Sequence, residues 1–106
     1  MMVKEIWLLN EDENVNTGRV EYVRKRKVEF DQIFFEDRSI MIKPGEAVMA
    51  NAELHTFEML ATGDIFYIDE FSDKIWAIIK SNITNLSLNF YMLEAKDNAR
   101  IKDKIR

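Results

Sequence analysis

SDKIWAIIKSNITNLSLNFYML, residues Ser72–Leu93, is the stretch whose reading decides the fold. Read as a helix, it opens with Ser72 as N-cap and Asp73 in the first turn. Trp76, Ile79, Ile83, Leu86, Phe90 and Leu93 then recur at spacings of three and four, the apolar stripe of one long helix. A rival reading ends the helix at Ser81-Asn82 and lets Leu86, Leu88, Phe90 and Met92 alternate as a strand.

Ala47 to Ala61 poses the same choice. As a helix it places Ala47, Ala50, Leu54, Phe57 and Ala61 on one face. Its Ala, Met, Leu and Glu content favours helix, with Pro44 near the start and Gly63 just past the end. As a strand, Val48, Ala50, Ala52 and Leu54 alternate with Met49, Asn51, Glu53 and His55, until the alternation fails at Thr56 and Phe57. The helical reading is the expectation taken forward.

The remaining segments read as strands and turns. Val3 to Leu9 is a first strand, and the polar run Asn10–Gly18 is a loop. Arg19 to Phe35 alternates by two, with Val20, Tyr22, Val28 and Phe30 on one face. Arg24 and Arg26 lie on that apolar parity, so the strand either overruns the core or breaks into two. Ile40–Ile42 resumes a strand, and Lys43-Pro44-Gly45-Glu46 fits a type II turn. Asp64–Ile68 is a short strand. These readings predict one α+β domain over residues 1–106. A small, mostly antiparallel sheet of N-terminal strands packs on one or two helices from the C-terminal half, and 95–106 is a frayed basic tail.

Composition narrows the chemistry. The chain of 106 residues has no cysteine, which removes disulfides, thiol nucleophiles and thiolate metal sites. Glycines stand only at 18, 45 and 63, so neither a Walker loop nor a dinucleotide fingerprint can be drawn. No cofactor is expected. No apolar run is long enough to cross a bilayer, no secretory pattern opens the chain, and the cytoplasm is the expected compartment. His55 is the single histidine. Flanked by Glu53 and Glu58, it is a candidate general base without a recognisable nucleophile. Asp64, Asp69, Glu70 and Asp73 form an acidic cluster whose spacing matches no calcium loop.

The net charge of −4 is unevenly spread. Arg24, Lys25, Arg26 and Lys27, next to Tyr22, form a basic strand on an acidic body, and Arg100–Arg106 repeats the sign in the tail. Such a strand can track phosphates, guard a sheet edge, or dock an acidic protein. Leu88, Tyr91 and Met92, left off the helical stripe, are the residues available to a second chain in a homodimer. Pro44-Gly45-Glu46 followed by Val48, Ala50 and Glu53-Leu54 resembles the strand that opens the core of dCTP deaminases and related dUTPases. That match covers about a tenth of the chain. The family's Arg-Ser-Ser phosphate-binding segment has no counterpart, and none of its residues is carried over. The expected function is a non-enzymatic protein-interaction module, in style like the phage or mobile-element accessory proteins that bind or inhibit a host factor. A nucleic-acid-binding domain using Arg24–Lys27 is the alternative.

Overall fold

In the stretch that decides the fold, Lys74–Ile83 and the residues from Asn89 onward are strand, not helix. A computed structural model describes residues 2–83, 88–99 and 101–106. The strands are β1 (Ile6–Glu13), β2 (Val20–Lys27), β3 (Gln32–Phe34), β4 (Arg38–Lys43), β5 (Glu46–Ala50), β6 (Ala52–Thr56), β7 (Ile65–Ile68), β8 (Lys74–Ile83) and β9 (Asn89–Asp97). One four-residue helix, α1 (Ile101–Lys104), follows them, and a 3-10 turn spans Asp69–Phe71. Seven strands form one antiparallel sheet in the order β2-β1-β7-β8-β9-β6-β3, curled into a half-barrel, while β4 and β5 pair as a separate hairpin. The α+β expectation is therefore corrected to a nearly all-β architecture whose one helix among the described residues, α1, is four residues long.

The physical reason lies in a bulge. β8 and β9 pair with a register shift between Ile78 and Lys80, so Ile79 is the inserted residue. Trp76 and Ile78 face the same side before the bulge, and Ser81, opposite Tyr91, continues that side after it. One face of a bulged strand thus falls at intervals of two and three, which overlaps a helical spacing. The β-branched residues Ile75, Ile78 and Ile79 favour the extended form. Phe90 lies on the opposite face, stacked on His55 rather than aligned with Trp76. Ser72 caps the end of the 3-10 turn instead of starting a helix. Leu86 of the expected stripe lies outside the described residues.

Ala47–Ala61 is also corrected to strand, β5 and β6 separated at Asn51. Val48 is half-buried, and Ala50, Ala52, Leu54 and Thr56 are buried, one parity throughout. Two other expectations match the structure, while Asn10–Glu13 of the expected loop belongs to β1. Arg19–Phe35 breaks into β2 and β3, and Gly45 has the positive φ of 78° that position three of a type II turn requires.

Two apolar clusters lie on opposite faces of the sheet. The larger, inner cluster gathers Ile6, Leu54, Phe66, Ile68, Ile78 and Leu93 with Trp76 and Tyr91. The smaller, outer cluster comprises Leu9, Tyr67, Ile75 and Ile101. The segment 95–106 is placed by that outer cluster. Ala95–Asp97 completes β9, Ile101 is fully buried, and the last two residues run along the free edge of β2. There the Arg24 N–H donates to the Arg106 carbonyl at 2.8 Å, and the Arg106 N–H donates to the Tyr22 carbonyl at 2.7 Å. Arg106 also reaches Asp12 at 2.7 Å and Glu21 at 3.1 Å. Among the described residues no helix is long and apolar enough to cross a membrane.

Two phenols on the outer side give the fold an alkaline limit. Burial, reinforced by the nearby Asp69 charge, pushes the Tyr67 hydroxyl above its ordinary value of 10.0. Burial, then Glu11, does the same to Tyr22. A raised folded-state value means that the native chain holds these protons more tightly than the unfolded chain. Their stabilising effect is complete below about pH 10 and is lost as pH rises through the folded-state values. Urea midpoints should therefore fall above about pH 10, and Tyr67→Phe should blunt the fall. A midpoint that does not move over that range would refute this linkage.

Candidate functional site

The basic strand is an edge strand whose charges are largely used inside the molecule. β1 and β2 pair with a shift between Leu8 and Leu9: Leu8 faces Arg26, Leu9 faces Arg24, and Lys25 has no opposite residue. This bulge sends Tyr22 to the outer cluster and Val28 to the inner one, although their spacing is even. It also splits the patch. Arg24 and Lys27 both sit over the Trp7 ring, at 5.4 and 5.3 Å from its centre. Lys27 pairs with Glu5 at 2.9 Å, which holds the Glu5 carboxyl below its ordinary value. Arg26, on the other face, pairs with Glu58. Among the described residues Arg24 has the Trp7 ring but no ion-pair partner, and Lys25 has neither. Tyr22 is half-buried beneath the C-terminal segment.

His55 stands on the outer face of β6, between Phe34 and Phe90 at ring distances of 5.2 and 4.1 Å. Its Nε2 lies 3.0 Å from a Glu53 carboxylate oxygen. Glu58 does not touch it, because the two stand on different sides of the strand end. The shallow cleft beside this group is lined by Phe34, Glu36, Arg38, Ala52, Glu53 and Met92, and not by the imidazole. The acidic residues are dispersed in role. Asp64 accepts the Ala61 N–H at 2.9 Å, Glu70 accepts the Lys4 N–H at 3.3 Å, and Asp69 lies in the 3-10 turn with Asp73 just beyond it. Among the described residues no group of three or more His, Asp or Glu could hold a metal ion.

Of the expected self-association set, Tyr91 and Met92 are buried in the sheet and Leu88 is half-buried. Strand pairing, not a helical surface, sets their direction, and two of the three present nothing to a second chain. Exposed apolar surface occurs elsewhere. On the β4–β5 hairpin, Ile40 and Val48 are half-buried on one face while Met41 and Met49 stand exposed on the other. The Lys80 ammonium donates to the Met41 carbonyl at 3.0 Å, and Arg38 pairs with Glu53, tying the hairpin to the body.

The most organised exposed feature is the loop after β6, residues 57–63. Phe57 and Met59 are 66% and 71% exposed, while Leu60 between them and the turn is buried in the inner cluster. Apart from aromatic side chains, the buried polar residues of the described chain are Thr56 and Asn89, and both serve this loop. The Thr56 hydroxyl donates to the Glu29 carbonyl and accepts the Glu58 N–H. The Asn89 amide donates to the Glu58 carbonyl at 3.1 Å. The buried Tyr91 hydroxyl donates to that carbonyl at 3.0 Å and accepts the Leu60 N–H at 2.8 Å. Glu58 itself receives Arg26 and the Glu29 N–H. Gly63, at φ 96°, completes the turn and donates to the Ile78 carbonyl at 2.9 Å.

Loops ordinarily leave their backbone groups to water. Here, buried hydroxyl and amide groups fix the backbone from beneath, and the rigid result holds a phenyl ring and a thioether out in solvent. Helical periodicity assigns Phe57 to the core, so sequence reasoning misses it. The available signal is the point where strand alternation inverts, with polar Thr56 at an inward position and apolar Phe57 at an outward one. The chain matches no family model, no curated protein and no solved structure.

Proposed function

We propose that the chain is a non-enzymatic protein-interaction module whose contact surface centres on Phe57 and Met59. The observation that carries this reading is the loop itself: two exposed apolar side chains on a backbone fixed by Thr56, Asn89 and Tyr91. Binding energy at protein interfaces concentrates in a few large side chains, and a pre-ordered loop loses little entropy on association. Methionine adapts to irregular partner surfaces, and Met41 and Met49 on the hairpin add the same chemistry. The internal use of Arg24, Arg26 and Lys27 weighs against the phosphate-tracking alternative, which needs cations free to displace counterions. An accessory protein of a phage or mobile element, acting on a host factor in the cytoplasm, is the form of this reading that the composition favours.

The test compares the wild-type chain with a Phe57→Ala/Met59→Ala double variant. Both side chains are exposed, so the variant should keep its unfolding free energy in urea to within about 0.5 kcal/mol. Affinity capture from a bacterial lysate should recover a protein with the wild type and at least about tenfold less of it with the variant. Light scattering on the two proteins identifies the case in which the partner is a second copy. Identical captured sets and identical oligomeric states for the two proteins would sink the proposal.

A further inference from the structure

The two edges of the half-barrel are treated differently. The outer edge of β2 is covered by the chain's own Ile105–Arg106. The outer edge of β3, the terminal strand on the other side, has no strand against it among the described residues. Exposed edges are normally blunted by lysine, proline or a covering segment. β3 is short, at three residues, but Gln32–Phe34 includes no lysine or proline, and no segment covers it among the described residues. Beside it lies a cleft of about 410 Å³, walled by Met2 and Val3 on one side and by Phe30–Phe34 on the other. Val3, Phe30 and Ile33 are half-buried there and pack against the inner cluster, so the floor of the cleft is apolar.

The charges next to β3 select the occupant. Asp31 precedes the strand, Glu36 and Asp37 follow it, and all three are exposed. Neither Asp31 nor Glu36 has an ion-pair partner among the described residues. A second copy laid antiparallel along this edge would bring Asp31 of each chain to the Glu36–Asp37 end of the other. Laid parallel, each carboxylate would meet its own counterpart. Like charges opposed across a strand pair are destabilising, so the edge rejects its own copy.

We infer that β3 is an acceptor edge for an extended peptide segment of another protein, apolar at alternate positions and basic at both ends. The guest adds as an eighth strand. Its main chain pairs with Gln32–Phe34, its apolar side chains lie over Val3, Phe30 and Ile33, and its cations face Asp31 and Glu36. This goes beyond the proposed loop surface and stands independently of it.

The probe is a fluorescein-labelled, end-capped peptide Lys-Thr-Val-Thr-Val-Thr-Lys, titrated by fluorescence polarisation against the full chain. Binding in the range of about 10–100 µM is expected at low salt. A twin with Glu at both ends should bind at least about tenfold more weakly. The double variant Asp31→Lys/Glu36→Lys, altered only at exposed positions, should reverse that preference. Two further twins carry N-methyl groups on the valines or on the threonines. Only one set of amides can face β3, so one twin should lose binding and the other keep it. Phe57→Ala/Met59→Ala should leave peptide binding unchanged, which separates this result from the loop proposal. The inference is overturned if the basic peptide does not bind, if the Glu-flanked twin binds equally well, or if both N-methylated twins bind like the parent.

Discussion

Ile101→Ala is expected to destabilise the chain by about 2–5 kcal/mol, the cost of emptying a fully buried aliphatic site. Ile101 is 0% exposed and closes the outer cluster over Leu9, Tyr67 and Ile75. Two effects add to the cavity. The helix α1 is only four residues long and has no propensity to persist without that anchor. Once it loosens, Ile105 and Arg106 no longer cover β2, and the Arg24 N–H loses its acceptor. Amide exchange should therefore quicken at Arg24 together with the overall loss of stability, while β6 and β9 follow the global change alone. The exposed neighbour Lys102→Ala serves as control and should shift stability by no more than about 0.5 kcal/mol. Equal effects of the two substitutions would mean that the C-terminal segment is not part of the folded unit.

How much of this was legible depended on whether local pattern and three-dimensional packing agreed. They agreed at the Pro44-Gly45 turn, because a positive φ at Gly45 is a local demand that glycine meets anywhere. They agreed at β7, whose Ile65–Ile68 run is too short for a helix. They disagreed wherever a strand carries an irregularity. The bulges at Ile79 and Lys25 each add one residue, and each turns a period of two into a sequence that imitates another pattern. The Ala- and Met-rich stretch 47–61 favours helix by propensity, yet its even-numbered residues are the ones that line the interior from Val48 to Thr56. Tertiary pairing with β4, β3 and β9 outweighs a propensity of a few tenths of a kcal/mol per residue.

The basic strand was legible as charge but not as use, because its ion-pair partners Glu5 and Glu58 are set by register. The candidate loop was recorded in the sequence as a fault, the inversion at Thr56 and Phe57 that argued against a strand. Local rules tend to fail where function has overridden them, and this inversion is the one whose polar half is buried and whose apolar half is exposed.

The second large effect follows from that inversion. Tyr91→Phe removes a single oxygen from a fully buried ring, so packing is preserved and any loss belongs to hydrogen bonding. The Leu60 N–H loses its acceptor in a buried setting, and the Glu58 carbonyl keeps only Asn89. Leaving a buried donor unpaired costs about 1–3 kcal/mol, more than the net worth of the bond itself. The loss should appear as a lower urea midpoint together with faster exchange at Leu60. Binding should weaken with it, although neither exposed contact residue has been altered, because the loop then pays an ordering cost on association. Phe57→Ala should show the converse: unchanged stability and lost binding. If Tyr91→Phe leaves both stability and Leu60 exchange untouched, the loop is not held from beneath, and Phe57 and Met59 are ordinary exposed side chains. If it lowers stability but capture is unaffected, the loop is held for the sake of the fold alone. The two substitutions thus separate a surface kept rigid for a partner from one kept rigid for the barrel.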